Sequence, residues 1–290
     1  LVEFGHCFLS RRDWQGAAMH AEYFESIAKY DYVSFAKALD SKNGVLGISI
    51  VRLGVDNILN TTQMIDSEGN IDYDKITKFS TSDYAGIISY AFHPGGKQKL
   101  SVGVNAKIVY RNIGKFANGF GFGFDLGAIY KTDSGYQLGA MLRDATTTVN
   151  FWTINQKELS AVVNGEEFNP APKDKMEITM PKLNMGISKN FELNRDLEFL
   201  PEAGVNVDFA KTAALISTDF ASITPYLGAE LSFQKMIFVR AGVNKFQNVT
   251  DIEDLKRKVT FQPSAGIGVR YRGLTLDYAI TSTGIGGSNY

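Results

Sequence analysis

The chain is poor in the residues that most catalytic and metal sites are built from. One cysteine, Cys7, stands among 290 residues, which excludes a disulfide framework and a CxxC metal pair. The three histidines, His6, His20 and His93, are scattered, and no Ser, Cys or His sits in a nucleophile motif. No enzyme is expected. Charge of one sign is missing as well: 30 basic residues against 31 acidic ones give a net −1, and no basic run would track phosphates. A nucleic-acid partner is therefore not expected. There is no stretch of 18 consecutive apolar residues, so no transmembrane helix. Nor does a charged segment followed by an apolar core open the chain at Leu1, so an export signal, if used, would lie outside this sequence. None of this excludes a membrane, because a transmembrane β-barrel hides its hydrophobicity by alternation.

Alternation is what the chain has in plenty. In Gly119–Lys131, GFGFGFDLGAIYK, every second residue from Phe120 through Phe122, Phe124, Leu126 and Ala128 to Tyr130 points one way. Between them stand Gly119, Gly121, Gly123, Asp125, Gly127, Ile129 and Lys131. A period of two marks a strand. One face is apolar and the other small, polar and charged. The same split recurs in Leu100–Arg111, where Leu100, Val102, Val104, Ala106, Ile108 and Tyr110 oppose Ser101, Gly103, Asn105, Lys107, Val109 and Arg111. Strands are predicted at Ala17–Phe24, Ile27–Leu39, Gly44–Asp56, Tyr84–Phe92, Leu100–Arg111, Gly119–Lys131 and Tyr136–Val149. Six more follow at Met180–Lys189, Glu198–Asp208, Tyr226–Phe233, Ile237–Asn244, Ser264–Tyr271 and Leu274–Thr281. No helix period intervenes.

Connections alternate between short and long. Asp40–Asn43, His93–Lys99, Thr132–Gly135, Asn190–Leu197, Lys235–Met236 and Arg272–Gly273 are short. Asn57–Asp83, Asn112–Asn118, Asn150–Thr179, Ala210–Pro225 and Lys245–Pro263 are longer. Alternating lengths put all long loops at one rim, as in outer-membrane barrels with short periplasmic turns and long external loops. The expected fold is all-β: one transmembrane antiparallel barrel of about fourteen strands over residues 17–290. Thirteen strands are visible and barrels of this kind close with an even number; the last strand is expected to be missing. Residues 1–16 show no period and stay unassigned, a possible plug or lead-in.

The ordered set MHAEYFESIAKYDYVSFAKAL, GVLGISIVRLGVDNI, LSVGVNAKIVYRNIGKFANGFGFGFDLGAIY, LGAMLRDATTTVNFW, FLPEAGVNVDF, PYLGAELSFQKMIFVRAGVNKFQ and LTLDYAIT resembles the PorV/PorQ family across about residues 17–282. Residues 1–16 lack the glycine-rich segment and the Asn-Pro-Ala-Gly-Leu stretch with which that family begins. The resemblance implies an outer-membrane barrel of Bacteroidota, similar in architecture to long-chain fatty-acid transporters. It implies a place in the type IX secretion pathway, where the barrel holds the C-terminal sorting domain of secreted cargo or a partner from the translocon or attachment complex. The partners implied are such proteins and outer-membrane lipid. The alternative is a transporter of small hydrophobic molecules, which would need an apolar pocket running into the lumen.

Two sets of candidate residues follow. Lys107, Arg111, Asp125, Arg143, Glu202, Asp208, Glu230, Arg240, Arg270 and Asp277 fall on the small, polar faces. They would form a lumenal charge network that either selects solutes or, as their mixed signs favour, braces the interior with ion pairs. Phe151, Trp152 and Phe168 in the Asn150–Thr179 loop, with Ile71 and Tyr73 in the Asn57–Asp83 loop, are the candidate anchors for a protein partner. For Trp152 an equal reading is that it ends a strand at the external aromatic girdle. DSEGNIDYD at Asp66–Asp74 does not fit a calcium loop, since Gly69 comes too early. GFGFGF lies inside a strand and so is not a dinucleotide loop. No cofactor or metal is expected.

Overall fold

The computed structural model describes residues 14–24, 26–39, 44–66, 68–96, 99–163, 166–168, 172, 175–250 and 257–282. Strands come in this order: β1 (Trp14–Tyr23), β2 (Ala28–Ala38), β3 (Val45–Asn60), β4 (Thr77–Phe92), β5 (Leu100–Ile113), β6 (Ala117–Lys131), β7 (Tyr136–Arg143) and β8 (Thr148–Ile154). After one helical turn, Gln156–Leu159, come β9 (Ala161–Val163), β10 (Glu166–Phe168), β11 (Met176–Thr179), β12 (Lys182–Lys189) and β13 (Phe191–Glu192). The chain continues with β14 (Leu197–Asp208), β15 (Ile216–Ser217), β16 (Ser222–Phe233), β17 (Ile237–Thr250), β18 (Arg257–Tyr271) and β19 (Leu274–Thr281). Seventeen of them form one sheet, and β9 and β10 pair separately. No helix among the described residues is long and apolar enough to cross a membrane, a statement that leaves strands aside.

β6 shows why this sequence makes a sheet and what is unusual about it. Residues opposite one another in antiparallel strands share a face, and Leu126↔Leu142, Ala128↔Ala140 and Tyr130↔Leu138 bring apolar side chains together. Burial then runs against the soluble pattern. Phe120, Phe122, Phe124 and Leu126 are exposed, whereas Gly119, Gly121, Gly123 and Asp125 between them are buried. Among the described residues three hydrophobic side chains are buried, Phe116, Ala214 and Phe238, against eleven polar or charged ones. The buried side of this sheet is its polar side.

The chain divides into two compact units. In the first, comprising Leu1–Phe92, Gly103–Asp125 and Asp144–Thr179, β1–β4 form consecutive antiparallel hairpins. The start of β6 pairs with β8, and β8 with β11. On the apolar face Val33↔Ile50 and Phe35↔Ile48 are followed by Asp31↔Arg52. There Arg52 Nη1 donates to Asp31 Oδ2 at 3.0 Å, and His20 Nδ1 lies 2.7 Å from Asp31 Oδ1. The apolar band of β2 and β3 stops at that pair.

The second unit, His93–Val102, Leu126–Arg143 and Met180–Tyr290, continues from the end of β6 through β7, β12, β14, β16, β17 and β18 to β19. β7 and β8 pair with successive halves of β6. β19 pairs with β18, and all eight of its residues are exposed.

Twelve of the thirteen predicted spans each lie largely within one strand, several of which run further than expected; the thirteenth, Tyr136–Val149, is corrected to two strands, β7 and the start of β8, parted by a turn at 144–147. β1 begins at Trp14, within the unassigned segment; residues 1–13 lie outside the described ones. β3 continues past Asp56 to Asn60 because its register shifts between Val55 and Ile58, where Asn57 has φ +61°. β17 continues past Asn244 through a similar shift before Gln247, with Lys245 at φ +49°. Each bulge flips the alternation by one residue and hides the continuation. The connection predicted at Asn112–Asn118 is corrected to the tight turn Gly114–Phe116, in which the Phe116 N–H donates to the Ile113 carbonyl at 2.9 Å.

Candidate functional site

In the first unit the polar face carries a buried charge cluster. Lys107 on β5 sends its ammonium to Asp125 Oδ1 at 2.7 Å and Asp144 Oδ1 at 2.5 Å. Asp125, 5% exposed, also accepts the Asp144 backbone N–H at 2.8 Å and the Asn105 amide at 3.3 Å. Thr148 donates to Asp144 Oδ1. Asp144 enters because the chain breaks step between β7 and β8, where Asp144 and Thr147 adopt φ of +51° and +59°. Non-glycine residues rarely hold that conformation, at about 1–3 kcal/mol each; here it turns the Asp144 N–H toward Asp125.

The glycines of β6 are the floor on which this cluster rests. A Cβ on Gly123 would overlap Thr148 Oγ1 and meet Lys107 Cε at 3.0 Å. One on Gly121 would overlap Asn150 Oδ1 and stand 2.7 Å from the Val149 carbonyl oxygen; one on Gly119 would press on the Trp152 ring at 3.1 Å. Beyond the cluster, the Arg111 guanidinium reaches Asp83 through Nε at 3.1 Å and Glu177 through Nη1 at 3.0 Å, and lies 5.0 Å from the Trp152 ring centroid. Trp152 Nε1–H donates to the same Glu177 at 2.9 Å.

The second unit fills its polar face differently. Tyr226 on β16 lies across β14 so that a Cβ on Gly204 or Gly186 would collide with its ring or hydroxyl. The hydroxyl stands 3.4 Å from the Met185 carbonyl oxygen and hydrogen-bonds Glu202. Arg240 joins Glu230 and Asp277, each at 2.5 Å, reaching Asp277 over Gly268, where any Cβ would overlap that carboxylate. Phe238, buried, is covered by the guanidinium groups of Arg240 at 5.3 Å and Arg270 at 4.8 Å. Asp208 pairs with Lys182 at 2.9 Å, and Arg143 is exposed at the end of β7. Of the ten charged residues singled out by sequence, Lys107 joins Asp125, and Arg240 joins Glu230 and Asp277. Arg111, Glu202, Asp208 and Arg270 meet other partners. Asp144, Asn105, Thr148, Asp83 and Glu177 were not anticipated. For Asn105 the polar-face alternation was a usable signal; for Asp144, at a break in step, there was none.

The candidate anchors fare unevenly. Phe151 and Trp152 both lie in β8, which corrects the loop reading and agrees with the strand-end reading of Trp152: Phe151 is exposed on the apolar face and Trp152 half-buried beneath Arg111. Phe168 ends β10, and its side chain lies outside the described residues. Ile71 and Tyr73 are exposed on a folded loop, residues 61–76. A bridge between Ile65 and Ile71 closes that loop. Inside it Asp66 accepts the Asn70 amide and the backbone N–H groups of Asn70 and Glu68, which hold its carboxyl below the usual carboxylate range. In the Ala210–Pro225 connection no anchor was singled out from the sequence. Ser222, fully buried, accepts the Thr212 N–H at 2.9 Å and donates to the Ala210 carbonyl at 2.7 Å. It thereby braces residues 209–221, which present Phe220 at 78% exposure. Among the described residues no three His, Cys, Asp or Glu side chains are grouped to hold a metal ion.

No family model matches this chain, and no curated protein matches it.

Proposed function

We propose that this chain is an outer-membrane β-barrel of the type IX secretion pathway that engages secreted cargo, or a translocon or attachment-complex partner, through its long loops. One observation carries the membrane half of this reading: apolar side chains such as Phe122 and Leu126 are exposed while Asp125 and its hydrogen-bond partners are buried. A sheet with that inversion is unstable in water, and it is matched to lipid on one side and a polar lumen on the other. The pathway half rests on the resemblance of the ordered strand sequences to the PorV/PorQ family. Partner capture falls to the braced loops that present Ile71 and Tyr73 in one unit and Phe220 in the other, since aromatic anchors on rigid loops bind at low entropic cost.

The test is a mild-detergent pull-down from outer-membrane fractions, with co-purifying proteins identified by mass spectrometry. Secreted proteins that share a C-terminal sorting domain, or translocon components, are expected, and Tyr73→Ser with Phe220→Ser should lower their recovery at unchanged membrane yield. A barrel that arrives alone with bound hydrocarbon would replace this reading with that of a hydrophobic-molecule transporter.

A further inference from the structure

In the second unit the exposed apolar face is interrupted by a shallow depression of about 350 Å³. Its base is Ala128, Ala140 and the backbone of Gly139 and Gly186. Tyr130, Leu138 and Met185 complete the lining, and its surface is almost wholly apolar. The cause lies in the register: Ala128↔Ala140 sets two small side chains together on this face of β6 and β7, beside Met185 of β12, while larger side chains stand on either side.

Following β12 from Met185 to its end leads, about 13 Å on, to Lys189. By parity with Met185 and Ile187, Lys189 is on the apolar face, paired in register with Tyr136. Its ammonium lies 4.5 Å from the Tyr136 ring centroid and 5.2 Å from that of Phe191. Among the described residues it meets those rings and no carboxylate. A cation on an apolar sheet face is costly unless it sits at the membrane boundary, and Tyr130, Tyr136 and Phe191 form the kind of aromatic cluster that marks one.

We infer that this face holds one phospholipid, an acyl chain in the Ala128–Ala140–Met185 depression and the phosphate on Lys189. The proposal rests on the membrane reading above. An apolar trough and an uncompensated cation on the same face, about 13 Å apart along β12, fit an amphipathic anion, and the membrane supplies one. The two rings beneath the ammonium fix it in place without neutralising it, so its charge remains for the phosphate.

Delipidated protein in mild detergent, titrated with dioleoylphosphatidylglycerol and followed by native mass spectrometry, tests this. Wild type should hold one lipid in preference to further ones. Lys189→Gln should weaken that first binding about tenfold, and Ala140→Trp, which fills the trough, at least as much. Both variants should keep the wild-type strand content by circular dichroism. Equal retention in all three proteins, or loss in Ala140→Trp alone, overturns the inference. A chain that stays soluble without detergent or lipid would instead refute the membrane reading, so the two failures are distinguishable.

Discussion

The two units solve the same problem with different chemistry. Each has a polar sheet face made partly of glycine, and each lays side chains from a neighbouring strand over that glycine. In the first unit the covering groups are ionic and buried: Lys107 between Asp125 and Asp144, with Asn105 and Thr148 completing the hydrogen bonds. In the second they are an aromatic ring, Tyr226 over Gly204 and Gly186, and a partly exposed ion-pair ladder from Glu230 through Arg240 to Asp277. Laying a ring over a strand glycine restores the packing the glycine lacks. A buried ion cluster behaves otherwise, because removing one member leaves the others charged and without solvent. The first unit should thus be brittle to substitution and the second graded.

The sharpest way to break this contrast is Gly121→Ala. Its Cβ would stand 2.7 Å from a backbone oxygen as well as overlapping Asn150, so the strand itself must move, and folded protein in the membrane fraction should be lost. Gly228→Ala in β16, whose Cβ finds only an ordinary 3.7 Å contact, should assemble normally; equal yields would show that the clash at Gly121 does not limit assembly. Next comes Asp125→Ala, expected to destabilise by about 3 kcal/mol in urea unfolding from lipid vesicles. Tyr226→Ala should lose about 2 kcal/mol, roughly half the value for a fully buried ring.

Smaller effects sharpen the picture at the turns. Gln234 and Lys235 both adopt positive φ, +51° and +54°, in the three-residue connection from β16 to β17, where the Met236 N–H donates to the Phe233 carbonyl. A primed turn of that kind prefers Asn-Gly. Gln234→Asn with Lys235→Gly should therefore raise stability by about 1 kcal/mol, the ion pair of the exposed Lys235 with Glu198 being a minor loss. The smallest effect is at Asp66. Its carboxyl titrates below its unfolded value, so the loop's support is intact above the ordinary Asp range near pH 4 and fades as pH falls through the lower, folded value. The protection of the Asn70 backbone amide, its exchange rate relative to the intrinsic rate at the same pH, should fall in acid and be independent of pH in Asp66→Ala.

Much of this was legible from alternation, and its lapses share one cause. Leu100–Arg111 and Gly119–Lys131 are uninterrupted strands, so a period of two sorted every residue onto the right face and placed Lys107 on the same side as Asp125. Where backbone geometry changes the phase, the reading stopped. It ended β3 at Asp56 and β17 at Asn244, both at bulges. At 144–147 it passed straight through a break that two left-handed residues create, and so missed Asp144, the second carboxylate of the buried cluster. Trp152 was left between loop and strand end for a related reason: beyond that break β8 continues to Ile154. Bracing of the 209–221 loop by Ser222 depends on hydrogen bonds to Thr212 and Ala210, which no spacing rule announces.

The central claim is that the exposed apolar face meets lipid and the polar face meets water. Neighbours in β16 test it directly: Leu227 lies on the apolar face, and Gly228, on the polar one, has room for a side chain. In a Cys7→Ser background, a spin label at each site in lipid vesicles can be relaxed by dissolved oxygen or by a water-soluble nickel chelate. The account predicts oxygen-dominated relaxation at Leu227 and nickel-dominated relaxation at Gly228. Labels equally open to nickel at both sites would contradict it.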